Sequence, residues 1–495
     1  MPDPGEDLIT KLEATREWPP KWETSWGEIA GWAAFREGDH QTLKRMAGWD
    51  TAEHRSRNYI VDSMAGKIST TFAELIFGED PDITAASTGD QDRLEEIIEE
   101  NQLPTELQTA AELCSSEGEV WWRYRVDREQ ADLPILEWHS RLAVLPVLRG
   151  RKVQAAAMWQ QIVPDPEKET VFRYFEVHAE GLVRNVLFKG IADRLGNRVQ
   201  LDATQDTADL PEEWAHGLPI LTGRIQNRMG RSRRAGVSDY RGVKDYLFAL
   251  NEVATIGQEN ARLTLKKRVV VPERYLDISG NFPGGSDVII APSTDVDPDK
   301  PGEGLVQVEW SFDAQAFIAY KDEIERTILG RVGLAKQLVD AGNPTPEGRA
   351  TGTALRLRLI PTVLATNGKA RAWDDELPKV LMLGQMLDAL EDASGGFGYH
   401  WATADQAPVI ERTDPLPQDE TEEATRHSLL VGAEIESRKT AIEELHPDWD
   451  QARVADEIAE IQKEARDMLP SVSTGDTGGH VPPITPPDGG APQPG

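Results

Sequence analysis

Two hydrophobic periodicities divide the first half of the chain. Between residues 58 and 77, apolar residues recur at steps of four, as Ile60, Met64, Ile68, Phe72 and Ile76, and this spacing predicts an amphipathic helix. Shorter helices are predicted over 91–101 and 104–116. The period then changes to two in GEVWWRYRVD, residues 118–127, which predicts a strand.

Further short alternating segments follow this first strand. They end before a basic segment that begins near residue 225, and together with the preceding helices they predict an α+β block with an antiparallel sheet. The predicted strands cover 143–149, 155–162, 171–178 and 182–188.

A long amphipathic helix is predicted from Ser238, a favourable N-cap residue, to about Leu265. Residues 267–311 then contain the strand-like segments RVVVPERYLDI and SDVIIAP, and a second, shorter helix is predicted over 314–329. Two helices therefore flank a small β-rich insert.

The last third of the chain is predicted to be mainly helical. Residues 335–352 form a loop-like segment, and a long helical pattern over 353–392 is interrupted by Pro361 and by Asn367-Gly368, so a kink is expected. A strand is predicted over 400–412, helices on both sides of Gly432, and another helix over 452–468. The proline- and glycine-rich end, 470–495, is predicted to be disordered.

Composition limits the classes of protein. With 495 residues the chain should form about three units. It contains no apolar run of about 18 residues, which predicts no membrane span, and the acidic N-terminus does not resemble a secretory signal. Cys114 is the single cysteine, which fits a reducing compartment, and we interpret it as a buried small hydrophobe. The tryptophans near the N-terminus, Trp18, Trp22 and Trp26, are interpreted as buried anchors.

Charge is distributed unevenly. The formal net charge is -32, yet residues 224–244 contain seven basic residues and one acid, Asp239. A general affinity for nucleic acid is therefore not expected, and any contact with a polyanion must be confined to basic segments. The first segment contains Arg224, Arg228, Arg231, Arg233, Arg234, Arg241 and Lys244; the others contain Arg262, Lys266, Lys267 and Arg268, and Arg349, Arg356, Arg358, Lys369 and Arg371.

Motifs for catalysis or cofactor binding are missing from the sequence. There is no GxxxxGK[ST], GxSxG or HExxH. DVDPD, residues 295–299, begins like a calcium loop, but Lys300 and Val306 occupy the positions of the glycine and the glutamate that such a loop needs. We therefore expect no enzyme activity, no metal site and no cofactor.

The order of the parts carries more information than any motif. Gly230-Arg231, Ser238-Asp239-Tyr240 and the helix that follows precede the β insert; ATGTALRLRLIPTV, residues 350–363, opens the long helix, and residues 414–450 form a helical end. This ordered set, strongest over 230–450, resembles the portal proteins of tailed bacteriophages, the head-to-tail connectors through which the genome is packaged and ejected.

The resemblance implies a mainly helical α+β portal fold that assembles as a ring, usually of twelve subunits, around a central channel. It assigns residues 1–237 to the wing, 238–266 and 312–334 to the stem helices, and 267–311 to the clip. It assigns 335–352 to the tunnel loop, 353–413 to the long kinked wing helix and its strand, 414–469 to the crown, and 470–495 to the tail.

The resemblance also implies a location and a set of partners. The location is the capsid portal vertex of the virion, and the host cytoplasm during assembly. The expected partners are further copies of the chain, double-stranded DNA bound without sequence preference, the large terminase subunit, the head-completion adaptor, and the major capsid and scaffolding proteins, with no membrane.

Two hypotheses about site residues follow from the ring. Some basic side chains would face DNA as a weak positive belt, and the tunnel loop would touch DNA and limit backsliding. The channel candidates are Arg262, Lys266, Lys336, Arg349, Arg356 and Arg358. The belt candidates, facing the channel or a neighbouring subunit, are Arg228, Arg231, Arg233, Arg234, Arg241 and Lys244. The loop candidates are Gly342, Asn343, Pro344, Thr345, Pro346, Glu347 and Gly348.

Alternatives to this interpretation remain open at the level of the sequence. The arginines could pair with acids of neighbouring subunits instead of facing DNA, and the tunnel loop could be a simple connector. The chain could also be a monomeric structural adaptor or scaffold of the virion. A metal-dependent hydrolase would need a cluster of acids and histidines, which the sequence does not show.

Overall fold

The computed structural model of the chain describes residues 3–52, 58–163, 169–228, 235–265, 268–272, 287–291, 306–308, 313–339, 352–412, 420–433, 435–446, 449 and 451–467. The chain divides into two units, Met1–Leu416 and Pro417–Gly495. Two of the expectations above, the acidic loop at 295–299 and the disordered tail, lie outside the described residues.

Helices of the first unit occur in two groups separated by strands. The N-terminal group is α1 (Pro4–Glu13), α2 (Trp26–Glu37), α3 (His40–Met46), α4 (Met64–Phe77), α5 (Gln91–Glu100) and α6 (Leu103–Glu117). The later group is α7 (Lys244–Leu265), α8 (Ala314–Val332), α9 (Lys336–Val339) and α10 (Gly352–Ala389).

Most strands lie between these groups or in the insert between α7 and α8, whereas β1 lies between α4 and α5 and β14 follows α10. They are β1 (Asp82–Thr84), β2 (Glu119–Arg125), β3 (Ile135–Ser140), β4 (Val144–Arg149), β5 (Lys152–Ile162), β6 (Val171–Ala179), β7 (Leu182–Ile191), β8 (Arg194–Val199), β9 (Glu213–Ala215), β10 (Thr222–Gln226), β11 (Arg268–Pro272), β12 (Asp287–Ala291), β13 (Val306–Val308) and β14 (Val409–Glu411).

The predicted antiparallel sheet is confirmed. Strands β4 to β8 form it in chain order, and β9 adds to β7. Strands β10, β2 and β3 form a second antiparallel sheet, and β1 pairs with β14. In the insert, β11 pairs in parallel with β12 and antiparallel with β13, so the predicted β-rich segment between two helices is also confirmed.

The largest core joins the N-terminal helices to α10. Leu107 and Cys114 of α6, Tyr124 of β2 and Trp373 of α10 are all buried in it. The interpretation of Cys114 as a buried hydrophobe is therefore confirmed. A second core packs α2 and α4 against α7 and α8, around Tyr240 and Leu247.

A third core explains the N-terminal tryptophans. Trp18 lies edge-on to Trp159 of β5, with ring centroids 4.6 Å apart, and to Phe175 of β6, at 5.7 Å. Trp26 lies 5.7 Å from Trp159. Trp18, Trp22 and Trp26 pack against this core, so the predicted anchoring is confirmed, but all three are half-buried and not buried.

Two predicted boundaries were wrong. Residues 58–63 are not helical, because the backbone N–H groups of Ile60 and Asp62 donate to the side chains of Thr255 and Asn251 on α7. The strand predicted over 400–412 is only Val409–Glu411. Helix α10 continues through Pro361, Asn367-Gly368 and Pro378, so the long helical pattern is confirmed without the interruption, and the expected kink stays a prediction. The buried apolar face of α10, around Trp373, offsets the local cost of each proline.

The described residues of the second unit, between 420 and 467, are mainly helical, as predicted. Helix α11 (Glu420–Gly432) packs on α12 (Arg438–Leu445), which packs on α13 (Gln451–Asp467). His427 is buried in this unit, and its Nδ1 lies 2.9 Å from the Glu436 carboxylate.

Candidate functional site

The basic segment at 224–244 is attached to the core by its only acid, Asp239. The Asp239 side chain is buried and accepts hydrogen bonds from Ser115 Oγ at 2.7 Å and from Arg228 at 3.1 Å. Lys369 of α10 donates to the same carboxylate at 2.5 Å. Asp239 therefore links α6, the basic segment and α10 through one carboxylate. We call Asp239 with its partners Ser115, Arg228 and Lys369 the anchor.

Lys369 is buried together with its partner. Its ammonium also donates to Asn227 Oδ1 at 2.7 Å and lies 4.2 Å from the ring centroid of Phe72. Burial lowers the pKa of Lys369, and the attraction of Asp239 opposes that shift. This lysine, which the sequence places among the basic residues of α10, contacts the protein interior.

The residues next to Asp239 add further contacts to the core. They also show that the long helix begins later than the predicted residue, Ser238. Ser238 caps a single tight turn over Asp239–Gly242, and α7 begins only at Lys244. The Tyr240 hydroxyl donates to the carbonyl of Ala65 at 2.8 Å and lies 2.5 Å from Ser69 Oγ. Asp239 and Tyr240 both point inward, which the turn allows, and burial raises the pKa of Tyr240.

Arg224 is also buried, because it belongs to β10. It donates to Glu119 at 2.7 Å, and Arg141 forms an ion pair with the same carboxylate, with its Nε 2.9 Å from Glu119 Oε1. The backbone N–H of Gly236 donates to the same carboxylate at 3.1 Å. The sequence places Arg224 at the start of a positive cluster, but in the structure its charge is matched inside the fold.

A second set of charges, only partly buried, lies between the two sheets, and sequence reasoning missed it. Arg123 of β2 contacts Glu137 of β3 at 2.7 Å and Glu176 of β6 at 2.6 Å. His178 lies 2.8 Å from Glu176. Burial raises the pKa of Glu176, but Arg123 and His178 outweigh it and bring the pKa to about 2. The alternation in GEVWWRYR was the available signal, since it places Trp121, Arg123 and Arg125 on one face.

The belt candidates that the structure describes do not share one environment. Arg228 is 54% exposed and paired with Asp239, and Arg241 is 59% exposed and lies 3.8 Å from Glu28. The Lys244 ammonium lies 5.5 Å from the centroid of the Trp32 ring. The remaining belt candidates lie outside the described residues, and these are Arg231, Arg233 and Arg234.

The channel candidates are partly described. Arg262 near the end of α7 and Arg358 near the start of α10 are exposed, and Arg356 belongs to α10. Lys336 lies 3.6 Å from Asp322 and 3.8 Å from Glu325. Outside the described residues lie Lys266, Arg349 and the whole set of loop candidates, Gly342, Asn343, Pro344, Thr345, Pro346, Glu347 and Gly348. The hypotheses about DNA contact therefore stay predictions.

Within the described part of the chain, no three histidine, cysteine or acidic side chains are grouped so that they could hold a metal ion. The helices described there include none that is long and apolar enough to cross a membrane.

The order of elements and the fold agree with a comparison to known families. The family model described as phage portal protein, SPP1 Gp6-like, matches residues 35–470. The chain belongs to this phage portal protein family. The match covers α3 to α10, the β insert and the helices of the second unit. A search of curated proteins found no match.

Membership of the portal family indicates a structural role for the chain. The family is structural, so the absence of a catalytic motif from the sequence is what portal membership leads one to expect. The resemblance seen in the sequence is confirmed, and portal family membership implies a phage capsid vertex and assembly with other copies of the chain.

Proposed function

We propose that this chain is the subunit of a ring of twelve copies at one capsid vertex, through which double-stranded DNA is packaged and later ejected. The family match over residues 35–470 is the observation that carries the proposal. The β insert between α7 and α8 supports it, because the family resemblance assigns such an insert to a clip between two stem helices.

The clip, β11 to β13 with its connections, is the proposed docking surface for the terminase motor during packaging. After packaging the same surface would receive the head-completion adaptor. The chain carries no P-loop motif of its own, so the ATP-driven step belongs to the motor protein in this proposal.

The proposed channel holds DNA weakly. Basic residues repeated around a ring would attract phosphates without reading bases, and the acidic remainder of the chain, with its formal net charge of -32, would prevent tight binding. The candidates described as exposed, Arg262 and Arg358, together with Arg349, are the proposed DNA-facing residues. The segment from Gly342 to Gly348 is the proposed tunnel loop.

A packaging assay tests this function. Procapsids assembled with this chain are supplied with terminase and ATP, and DNA protected from DNase is measured. We expect Arg349→Glu to reduce the protected DNA without changing ring assembly, whereas Arg349→Lys retains it. Unchanged packaging by Arg349→Glu would remove the channel role of that residue, and no packaging by the wild-type chain would contradict the proposed function.

A further inference from the structure

A groove runs along α10, and its lining includes the belt candidate Arg228 but none of the channel candidates. Its walls are β10, the turn between β4 and β5, and α10. It consists of two adjoining cavities of about 390 and 620 Å³, which share Arg151, Arg224, Gln226 and Glu376 in their linings. Cavities of this size accept short peptide segments or small ligands. We call this feature the β10–α10 groove.

The groove is rich in positive charge although the chain is acidic. Arg224 is neutralised by Glu119, Arg228 by Asp239, and Lys379 by Glu376 at 3.0 Å. Three other cations at its wall, Arg151, Lys152 and Arg371, form no ion pair with any described residue. Since Asp375 is the other acid of the lining, these cations leave the groove with an excess of positive charge.

The floor of the groove is apolar. Trp122, Ile220, Met382 and Leu383 line its larger cavity. The indole N–H of Trp122 is buried and has no hydrogen-bond acceptor within the described chain. A buried donor without a partner is unfavourable, so an acceptor supplied by a bound segment would stabilise this site.

These features select the chemistry of the occupant. A segment that fits must bring carboxylates for Arg151 and Arg371, apolar side chains for the floor and a carbonyl or carboxylate for Trp122. A DNA duplex brings phosphates but no apolar side chains, and its width exceeds a cavity of this size. An acidic polypeptide segment with apolar residues satisfies all three requirements.

We propose that the β10–α10 groove receives an acidic, partly apolar segment from a second copy of this chain. The chain supplies such segments in abundance, because it has 85 acidic residues against 53 basic ones. Complementary charge at a subunit contact sets register and excludes wrong partners. The inference rests on the ring of the proposed function and names one surface that would hold neighbouring subunits together.

Assembly of charge variants tests the groove. Native mass spectrometry is used to follow the ring for the wild type, for Arg151→Glu/Arg371→Glu, and for the charge-preserving control Arg151→Lys/Arg371→Lys. Both arginines are exposed, so the variants should fold, which tryptophan fluorescence checks. We expect the reversal to raise the concentration needed for half assembly by about tenfold or more, and the lysine control to assemble as the wild type does. Arg45→Glu reverses one charge at an exposed position that does not line the groove, and it should have no effect.

A carbodiimide experiment identifies the partner. This reagent joins lysine amines to carboxylates in direct contact. In rings mixed from ¹⁴N- and ¹⁵N-labelled chains, a linked peptide pair that carries both isotopes is a link between copies, whereas the Lys379–Glu376 pair of one chain carries a single isotope. We expect the pairs that carry both isotopes to contain Lys152 or Lys379 joined to an acidic peptide.

Each other outcome has a defined meaning. A wild-type ring with unchanged assembly of the reversal variant overturns the inference and leaves the proposed function intact. Unchanged assembly together with weaker binding of a DNA duplex to the ring would make the groove a nucleic-acid surface and overturn the inference. A wild-type chain that stays monomeric contradicts both.

Discussion

The charged groups around Asp239 and the apolar side chains on the outer faces of α8 and α10 occupy opposite environments. Asp239 and Lys369 are both buried, and each has several hydrogen-bond partners within the same chain. Ile318 and Tyr320 of α8 and Leu364 of α10 are 57%, 58% and 67% exposed. These charged side chains are therefore buried in the protein interior, where charges are rare. The large apolar side chains are exposed to water, which is unfavourable for them.

This difference separates folding from assembly. A buried and fully paired charge specifies one arrangement of α6, the basic segment and α10 within a single chain. Exposed apolar side chains contribute little to the folding of that chain, but they become favourable when a partner covers them. The anchor thus belongs to the subunit, and the exposed faces of α8 and α10 are suited to a neighbouring subunit in the proposed ring.

Removal of Asp239 should produce the largest effect. Asp239→Ala leaves Lys369 charged and buried without its carboxylate, and we expect a loss of about 3–5 kcal/mol in the free energy of unfolding. Urea unfolding followed by tryptophan fluorescence measures it. Asp245→Asn, at an exposed acid in the first turn of α7, is the control and should change stability by less than about 0.5 kcal/mol. Equal effects of the two variants would contradict the anchor.

Acid should weaken the partly buried network of Arg123, Glu137, Glu176 and His178. The pKa of Glu176 in the folded chain, about 2, lies below that of an unfolded glutamate. Its stabilisation is therefore full above about pH 5 and is lost as the pH falls towards 2. We expect Glu176→Gln to lose about 3 kcal/mol at pH 7 and to show a smaller loss of stability on acidification.

Unfolding of Glu176→Gln at several pH values, beside Glu180→Gln in the exposed β6–β7 turn, measures this difference. If acid destabilises Glu176→Gln as steeply as the wild type, another group dominates the pH dependence.

The smallest effect on folding is expected on the exposed face of α10. Leu364→Gln should change the free energy of unfolding by less than about 0.5 kcal/mol but reduce the fraction of the chain in rings. Leu381→Gln lies at a buried position of the same helix. It should act mainly on folding and lower the free energy of unfolding by several kcal/mol. Native mass spectrometry and urea unfolding distinguish the two effects. If Leu364→Gln forms rings as the wild type does, the exposed face of α10 has no part in assembly.

Hydrophobic periodicity predicted most helices and strands, because the spacing of apolar residues within one element determines which of its faces is buried. The strand at 118–127 and the helix at 314–329 occur close to the predicted positions. Residues 58–63 do not continue the following helix, since their N–H groups bond to α7, which is distant in sequence. Contacts of this kind cannot be read from a local pattern.

The candidate site was harder to predict for a related reason. Composition identified a basic segment, but charge count does not reveal which side chain meets a buried acid. Arg224 and Lys369 turn inward to Glu119 and Asp239, whereas Arg241 and Arg262 stay at the surface. The inward pairs join residues more than 100 positions apart in the chain, so only the tertiary structure brings them together.

A cryo-electron-microscopy reconstruction of the purified protein tests the central claim most directly. We expect a closed ring with an open channel, in which neighbouring copies cover Ile318, Tyr320 and Leu364 while Asp239 keeps its contacts with Ser115 and Lys369. A monomer, or a ring in which these three apolar side chains remain exposed and the Asp239 contacts are rearranged, would contradict the separation of folding from assembly.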